Sequence, residues 1–218
     1  MAAPERALLL RKAADEKALV IEDDAYGDIA FTPTALPPLA AQAPERVFHI
    51  GTFSKTLCPG LRIGWLASPP ELAKAVLDAK QNQDLQANGL AQSLLDAYLK
   101  AGSFARHLGK VQRTYERRAT RMLGALRRHL PAFRFTAPQG GFSVWLESDM
   151  RLDEEAVYEQ AMQLGVTFDS ARPFRLSPDA RFALRLCYSS VPQNQIEAGV
   201  ERLAEAIALI SGRARADR

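Results

Sequence analysis

Two short apolar runs, each followed at once by a polar loop, constrain most strongly what this chain can fold into. The first is Ala18-Leu19-Val20-Ile21, which ends in Glu22-Asp23-Asp24, and the second is Val47-Phe48-His49-Ile50, which ends in Gly51-Thr52-Phe53-Ser54-Lys55. Runs of this length and composition are typical of buried β-strands. Because open α/β sheets bind ligands outside the carboxyl ends of their strands, the polar residues after both runs are candidate binding residues.

The rest of the chain shows alternating helical and extended patterns. The Pro- and Ala-rich segment 31–44 is predicted to be a loop, and residues 213–218 are predicted to be a frayed tail. Apolar periodicity predicts helices over 4–17, 71–100 with a break at Asn88-Gly89, 103–129, 153–164 and 193–210, and strands over 18–21, 47–50, 62–66, 142–146, 166–168 and 182–188. Mixed elements on this scale predict an α/β fold.

Composition and charge exclude several classes of protein. The chain is 47% hydrophobic and 24% charged, which is ordinary for a globular protein, and its net charge of +3 is too small to indicate nucleic-acid binding. The spacing of the two cysteines, Cys58 and Cys187, and of the three histidines is not that of metal ligands, so no metal site is predicted. The sequence has neither a membrane-length apolar run nor a signal-peptide pattern, so a cytoplasmic protein without membrane association is expected.

The residues around Lys55 suit a phosphate monoester and an aldehyde. Thr52 and Ser54 offer two hydroxyl donors, and Arg62 offers a guanidinium fork. A lysine amine in such a site can attack an aldehyde as the free base and later carry a substrate α-proton. A lone loop lysine is more often a solvated surface charge, and the chain has no Walker-type loop or Ser-x-x-Lys motif at this position.

The acidic cluster Glu22-Asp23-Asp24 allows two interpretations. It is either an ordinary polar start of a loop or part of a ligand site. A carboxylate held in a cleft needs a cation, and the protonated ring nitrogen of a pyridine cofactor is such a cation. By keeping that nitrogen protonated, Asp23 would make the ring a stronger electron sink.

These segments resemble the type-I aminotransferases, which use pyridoxal 5′-phosphate, in the branch of aminoadipate-type transaminases and MocR-type regulator effector domains. Segment 20–27 is similar to the family's Asp-x-x-Tyr element, and segment 51–64 is similar to its Schiff-base segment. The resemblance implies that Lys55 is the catalytic residue that holds the cofactor as a Schiff base. It also implies a set of cofactor contacts: Asp23 at the pyridine nitrogen, Tyr26 at the phenolic oxygen, and Ser54 and Arg62 at the phosphate, with Thr52 as a helper.

The later segments 138–145 and 182–189 resemble strands of the family's small domain. The resemblance implies that Arg185 binds the substrate carboxylate, which a guanidinium can grip with two hydrogen bonds. It further implies part of a large cofactor-binding domain with a mainly parallel sheet over 1–102, a smaller α/β domain over 103–218, and a homodimer. The family's Asn-Pro-x-Gly element does not occur in the chain.

Three functions follow as alternatives from these residues and the resemblance. The first is an aminotransferase that exchanges an amino group between an amino acid and a 2-oxo acid. The second is the effector domain of a MocR-type transcriptional regulator, which would bind pyridoxal phosphate as a signal. The third is an inactive fragment. Amino-acid-dependent turnover would distinguish the first from the other two.

Overall fold

The computed structural model describes residues 1, 3–31, 36–175 and 181–216, with side chains as far as residue 212. The chain divides into two compact units, Met1–Gln112 and Arg113–Arg218. The domain boundary at residue 102 that the resemblance implies stays a prediction.

Both units combine helices with a small sheet. The helices are α1 (Ala3–Asp15), α2 (Leu39–Gln42), α3 (Ala73–Asp84), α4 (Gly89–Lys100), α5 (Ser103–His129), α6 (Glu154–Gln163) and α7 (Ile196–Ala216). The strands are β1 (Val20–Asp23), β2 (Val47–Thr52), β3 (Gly64–Ala67), β4 (Ser143–Glu147), β5 (Asp169–Ser170) and β6 (Ala183–Cys187).

The first unit contains a three-stranded sheet in the order β1-β2-β3. β1 and β2 run parallel, and β3 runs antiparallel to β2. One face is covered, because Val47 of β2 packs in a cluster with Leu39 and Ala43.

The opposite face of this sheet, here called the open face, carries the apolar residues Ile21, Phe48, Ile50 and Leu66, together with Asp23, which pairs with Ile50. Strand register pairs Ile21 with Phe48 and Ile50 with Leu66, so these side chains project on the same side. Ile21 is 69% exposed and Leu66 is 43% exposed. The prediction of two buried strands is therefore correct for one face of the sheet and wrong for the other.

The predicted loop over 31–44 contains a short helix, α2, and its residues 32–35 lie outside the described part of the chain. The helix forms because Glu22 accepts hydrogen bonds from the amides of Leu39 and Ala40, at 2.9 and 3.3 Å. These amides belong to the first turn of the helix, where backbone donors have no partner within the helix. The cap comes from a distant residue, so local sequence does not predict it.

The second unit contains an antiparallel sheet in the order β4-β6-β5. Its core includes Leu126, Leu146, Leu184 and Leu203, all without exposed surface. The strand predicted over 166–168 instead forms at β5, where Asp169 and Ser170 pair with β6. Helix α7 continues into the predicted tail as far as Ala216, and residues 217–218 lie outside the described part.

Among the described residues, no helix is both long enough and apolar enough to cross a lipid bilayer.

Candidate active site

The three consecutive carboxylates at the end of β1 have different environments. Glu22 caps α2 and also pairs with Arg6 at 3.4 Å. Asp24 pairs with His49 of β2, with 3.2 Å between Oδ2 and Nε2. Both of these acids therefore already have a structural role.

Asp23 differs from its two neighbours, because its carboxylate has no hydrogen-bond or ion-pair partner among the residues that the structure describes. It is exposed at the last position of β1, beside Ile50 of β2. The carboxyl end of a parallel strand pair is the edge at which α/β sheets bind ligands. Asp23 is thus the member of the cluster whose charge is available to a ligand.

His49 was considered in the sequence only as a possible metal ligand, and its pairing with Asp24 was missed. The imidazole is largely buried, and its ring also meets the Trp65 ring edge-on, with 4.8 Å between centroids. The pairing of His49 with Asp24 fixes the chain immediately after Asp23. Only the strand register, which the sequence pattern does not give, brings His49 beside this loop.

Lys55 lies in a tight turn that directly follows β2. The carbonyl of Phe53 accepts hydrogen bonds from the amides of Leu57 and Cys58, at 2.9 and 3.1 Å. The amide of Phe53 donates to the carbonyl of Ile63 at 3.1 Å, which ties the turn to the chain entering β3. The backbone of the turn is thus held at both ends, whereas the Lys55 side chain is exposed.

Thr52 supports this turn with its side chain. Its hydroxyl donates to the carbonyl of Ile63 at 3.1 Å and accepts from the amide of Ser54 at 3.1 Å. A hydroxyl has one proton to donate. Because that proton is engaged by Ile63, Thr52 in this arrangement holds the turn, and its contact with a phosphate stays a prediction.

Two predicted site residues from different loops lie close together. The Lys55 Nζ lies 5.7 Å from the centroid of the Tyr26 ring, within the range of a cation–π contact. Tyr26 belongs to the turn after β1, and Lys55 belongs to the turn after β2. The parallel pairing of β1 and β2 therefore brings together residues that are far apart in sequence.

Arg62 has an unusual backbone conformation. Its φ is 53°, in the left-handed region, after a turn of 3₁₀ helix over Pro59–Leu61. Such a conformation costs a non-glycine residue roughly 1–3 kcal/mol, and here it ends the 3₁₀ turn, as left-handed residues commonly do at helix ends. The side chain is exposed, and no carboxylate pairs with it among the described residues. Its guanidinium is therefore available to an anion.

Arg185, the predicted carboxylate ligand, lies on β6 in the second unit. Its Nε donates to Asp169 of β5 at 3.0 Å, and its guanidinium carbon lies 5.7 Å from the centroid of the Phe174 ring. The side chain is 41% exposed. A guanidinium has five donor hydrogens, so its terminal nitrogens stay available beyond the bond to Asp169.

The Aminotransferase class I and II family model matches residues 2–203 of the chain. A 2-aminoadipate transaminase of Thermus thermophilus is 36% identical over 209 residues, which are 94% of this chain and 52% of that relative. An uncharacterized HTH-type transcriptional regulator of Bacillus subtilis, YisV, is 31% identical over 192 residues, which are 87% of this chain and 39% of the regulator.

Solved structures show the same similarity. The α-aminoadipate aminotransferase LysN of Thermus thermophilus, complexed with N-(5′-phosphopyridoxyl)-L-leucine, matches with a TM-score of 0.89 and 35% identity. The match covers 96% of this chain and 55% of that one. This likeness confirms the predicted fold class. The chain spans about half the length of the curated aminotransferases that it matches.

Proposed function

Since the chain belongs to the class I and II aminotransferase family, we propose that it provides the lysine-bearing part of an aminotransferase active site that uses pyridoxal 5′-phosphate. The proposed reaction moves an amino group from an amino acid to a 2-oxo acid. The observation that carries the proposal is the position of Lys55, whose Nζ lies 5.7 Å from the centroid of the Tyr26 ring. Asp23 lies at the same edge of the sheet, and its carboxylate has no partner among the described residues.

The side chains at this edge fit the chemical groups of the cofactor one by one. The Lys55 amine suits the aldehyde, the Asp23 carboxylate suits the pyridine nitrogen, and the Tyr26 hydroxyl suits the phenolic oxygen. The Arg62 guanidinium and the Ser54 hydroxyl suit the phosphate. Glu22 and Asp24 are excluded from the same roles because they already cap a helix and pair with His49.

Each of these residues has a defined task in the proposed reaction. When bound, pyridoxal phosphate supplies an electron sink for the pair of electrons left by a broken Cα–H bond. Lys55 would hold the cofactor aldehyde until the substrate amine displaces it, and the amine so released would take and return the substrate α-proton. Asp23 keeps a proton on the pyridine nitrogen, because an adjacent carboxylate stabilises the positive charge there.

Arg185 is proposed to bind the substrate carboxylate. The terminal guanidinium nitrogens offer a planar pair of donors, and the Asp169 bond to Nε fixes the plane in which they lie. A carboxylate held by two parallel hydrogen bonds has a defined orientation, and this orientation sets the direction of the Cα–H bond. A homodimer and a cytoplasmic location complete the proposal, both by analogy with the family.

A second candidate function is ligand sensing as the effector part of a MocR-type regulator. The similarity to YisV favours it. Both candidates require a lysine that captures pyridoxal phosphate, but only the aminotransferase converts an amino acid to its oxo acid. Turnover therefore separates the two candidates, whereas cofactor binding is common to both.

The test is covalent trapping of pyridoxal phosphate on the chain, followed by an assay for amino-group transfer. After borohydride reduction, peptide mass spectrometry is expected to find the phosphopyridoxyl group on Lys55. In the variant Lys55→Ala, the peptide that contains position 55 is expected to carry no such group. Lys74→Ala is the matched control, because Lys74 is 85% exposed and pairs with Asp78 of its own helix. Its removal is expected to leave the labelling of Lys55 unchanged.

Three results of this test have distinct meanings. Labelling spread evenly over exposed lysines would overturn the proposed cofactor site. Selective labelling of Lys55 together with amino-acid-dependent formation of an oxo acid supports the aminotransferase. Selective labelling without turnover of any amino acid favours the regulator or an inactive fragment.

A further inference from the structure

We propose that His107 of α5, together with Phe104, is a positioning residue that holds the Lys55 turn. The contacts of His107 and Phe104 with the turn do not depend on the proposed function, but the catalytic role of Lys55 does rest on it. His107 lies far from the turn in sequence and was considered above only as a possible metal ligand. The structure brings its ring to the backbone of the residue that directly follows Lys55.

The contact between His107 and the turn is a hydrogen bond of defined direction. The Nε2 atom lies 2.9 Å from the carbonyl oxygen of Thr56. A carbonyl oxygen only accepts, so the imidazole must carry its proton on Nε2 and donate it. Thr56 is 3% exposed, and a hydrogen bond at a buried carbonyl is costly to lose.

Phe104 contacts the other end of the same turn. Its ring meets the ring of Phe53 edge-on, with 5.7 Å between centroids and 69° between planes. Phe104 and His107 are three positions apart and therefore share one face of α5. One helix face thus contacts the turn on both sides of Lys55, at Phe53 and at Thr56.

These two contacts restrict the backbone from which the Lys55 side chain extends. Phe53 also closes the turn, since its carbonyl accepts the amides of Leu57 and Cys58. A lysine side chain has four rotatable bonds of its own, so a fixed backbone is what confines the amine to a small volume. A catalytic amine must lie close to its target atom, and loosening the backbone lowers the fraction of time that it does.

The experiment compares His107→Met with His107→Gln. The two replacements are similar in size, but only glutamine keeps a side-chain N–H donor. We expect His107→Met to raise amide hydrogen exchange in peptides containing Leu57 and Cys58 by about five-fold, the factor that the loss of one hydrogen bond gives. His107→Gln should restore most of the protection. Arg106→Ala, an exposed neighbour on the same helix, is expected to have no effect.

The second readout is the rate at which pyridoxal phosphate and borohydride label Lys55, measured against Lys74 in the same sample. We expect His107→Met to slow labelling of Lys55 by about five-fold and to leave that of Lys74 unchanged, for the same reason. A merely structural contact would lower the melting temperature without this selectivity. Exchange and labelling that match the native chain in His107→Met would overturn the proposal.

Two further results keep the inference separate from the proposed function. If the native chain is not labelled at Lys55, the proposed function fails, but hydrogen exchange still tests the contact between His107 and the turn. If His107→Met does not fold, Phe104→Leu removes the ring contact and keeps apolar bulk. The proposal then requires faster exchange in the same peptides, and unchanged exchange overturns it.

Discussion

Gly51 shows how one missing side chain determines local packing beside the candidate site. It lies in β2 directly opposite Trp65 of β3. A Cβ atom at this position would overlap the indole ring, much closer than atoms can approach. The indole can therefore contact His49 only because residue 51 is glycine.

The variant Gly51→Ala is expected to displace Trp65 and to lower the free energy of unfolding by about 1–3 kcal/mol, the usual cost of overpacking. Urea unfolding measures the free energy, and tryptophan fluorescence in a Trp145→Phe background reports the indole environment. Gly199→Ala is the control, because a Cβ there meets nothing within 4 Å. Because Gly199 lies in helix α7, its replacement by alanine should raise the free energy of unfolding by roughly 0.5–1 kcal/mol. Equal effects of the two substitutions would contradict the role of Gly51.

At the scale of elements, Glu197 connects the first turn of α7 to α5. Its carboxylate lies 2.5 Å from Arg128 and 3.3 Å from Arg121. The hydrogen bond from Arg128 holds the pKa of Glu197 below its ordinary value, and the charges of Arg128, Arg121 and His129 act in the same direction. A negative charge in the first turn also interacts favourably with the helix dipole.

Because the pKa of Glu197 is lower in the folded than in the unfolded chain, its stabilising effect is present above the ordinary glutamate range. The effect is lost as the pH falls through the lowered pKa. We expect Glu197→Gln to unfold at a slightly lower temperature than the native chain at neutral pH, and the difference to disappear in acid. Thermal melts over a pH series measure this.

Glu201→Gln is the matched control for this prediction, because Glu201 is an exposed acid one turn further along the same helix. Its substitution should give no pH-dependent difference. High salt should also reduce the effect of Glu197→Gln, because exposed ion pairs are screened. A difference that persists in acid would show that glutamine acts through packing and not through charge.

The elements that the sequence predicts well are those whose signal lies within their own residues. Helix α5 has the predicted limits, 103–129, because its apolar stripe continues over its whole length. Helix α2 was missed because its cap, Glu22, is distant in sequence. Strand β5 was displaced from its prediction because pairing with β6, and not local propensity, determines which residues it contains.

The same distinction holds for the candidate site. The closeness of Tyr26 and Lys55 follows from parallel pairing of two predicted strands, so sequence reasoning can reach it. Asp23 was singled out in the sequence through the family resemblance, whereas the partners that engage Glu22 and Asp24 lie elsewhere in the chain and could not be predicted from the local pattern. The contact of His107 with Thr56 likewise depends on how a helix meets a turn, which periodicity does not determine.

At the scale of the molecule, the open face of the first sheet is one of the exposed apolar surfaces among the described residues. Ile21, Ile50 and Leu66 are 69%, 38% and 43% exposed and lie on the same face of three adjacent strands. Adjacent exposed apolar side chains of this kind promote association. The chain also spans only about half the length of its aminotransferase relatives, so further polypeptide is available in those proteins to cover such a face.

We therefore expect the chain to self-associate in a concentration-dependent way, and the double variant Ile21→Thr/Ile50→Thr to associate less, as measured by sedimentation velocity. Threonine keeps a β-branched side chain that suits a strand, and both positions are solvent-exposed, so the free energy of unfolding should change little.

Met162→Gln is the control, because Met162 is 53% exposed on α6 in the second unit. If removing Met162 reduces association as much as the double variant does, the open face is not the surface responsible. If the double variant associates as strongly as the native chain, the prediction is wrong, because the two isoleucines supply most of the apolar surface that the open face exposes on β1 and β2.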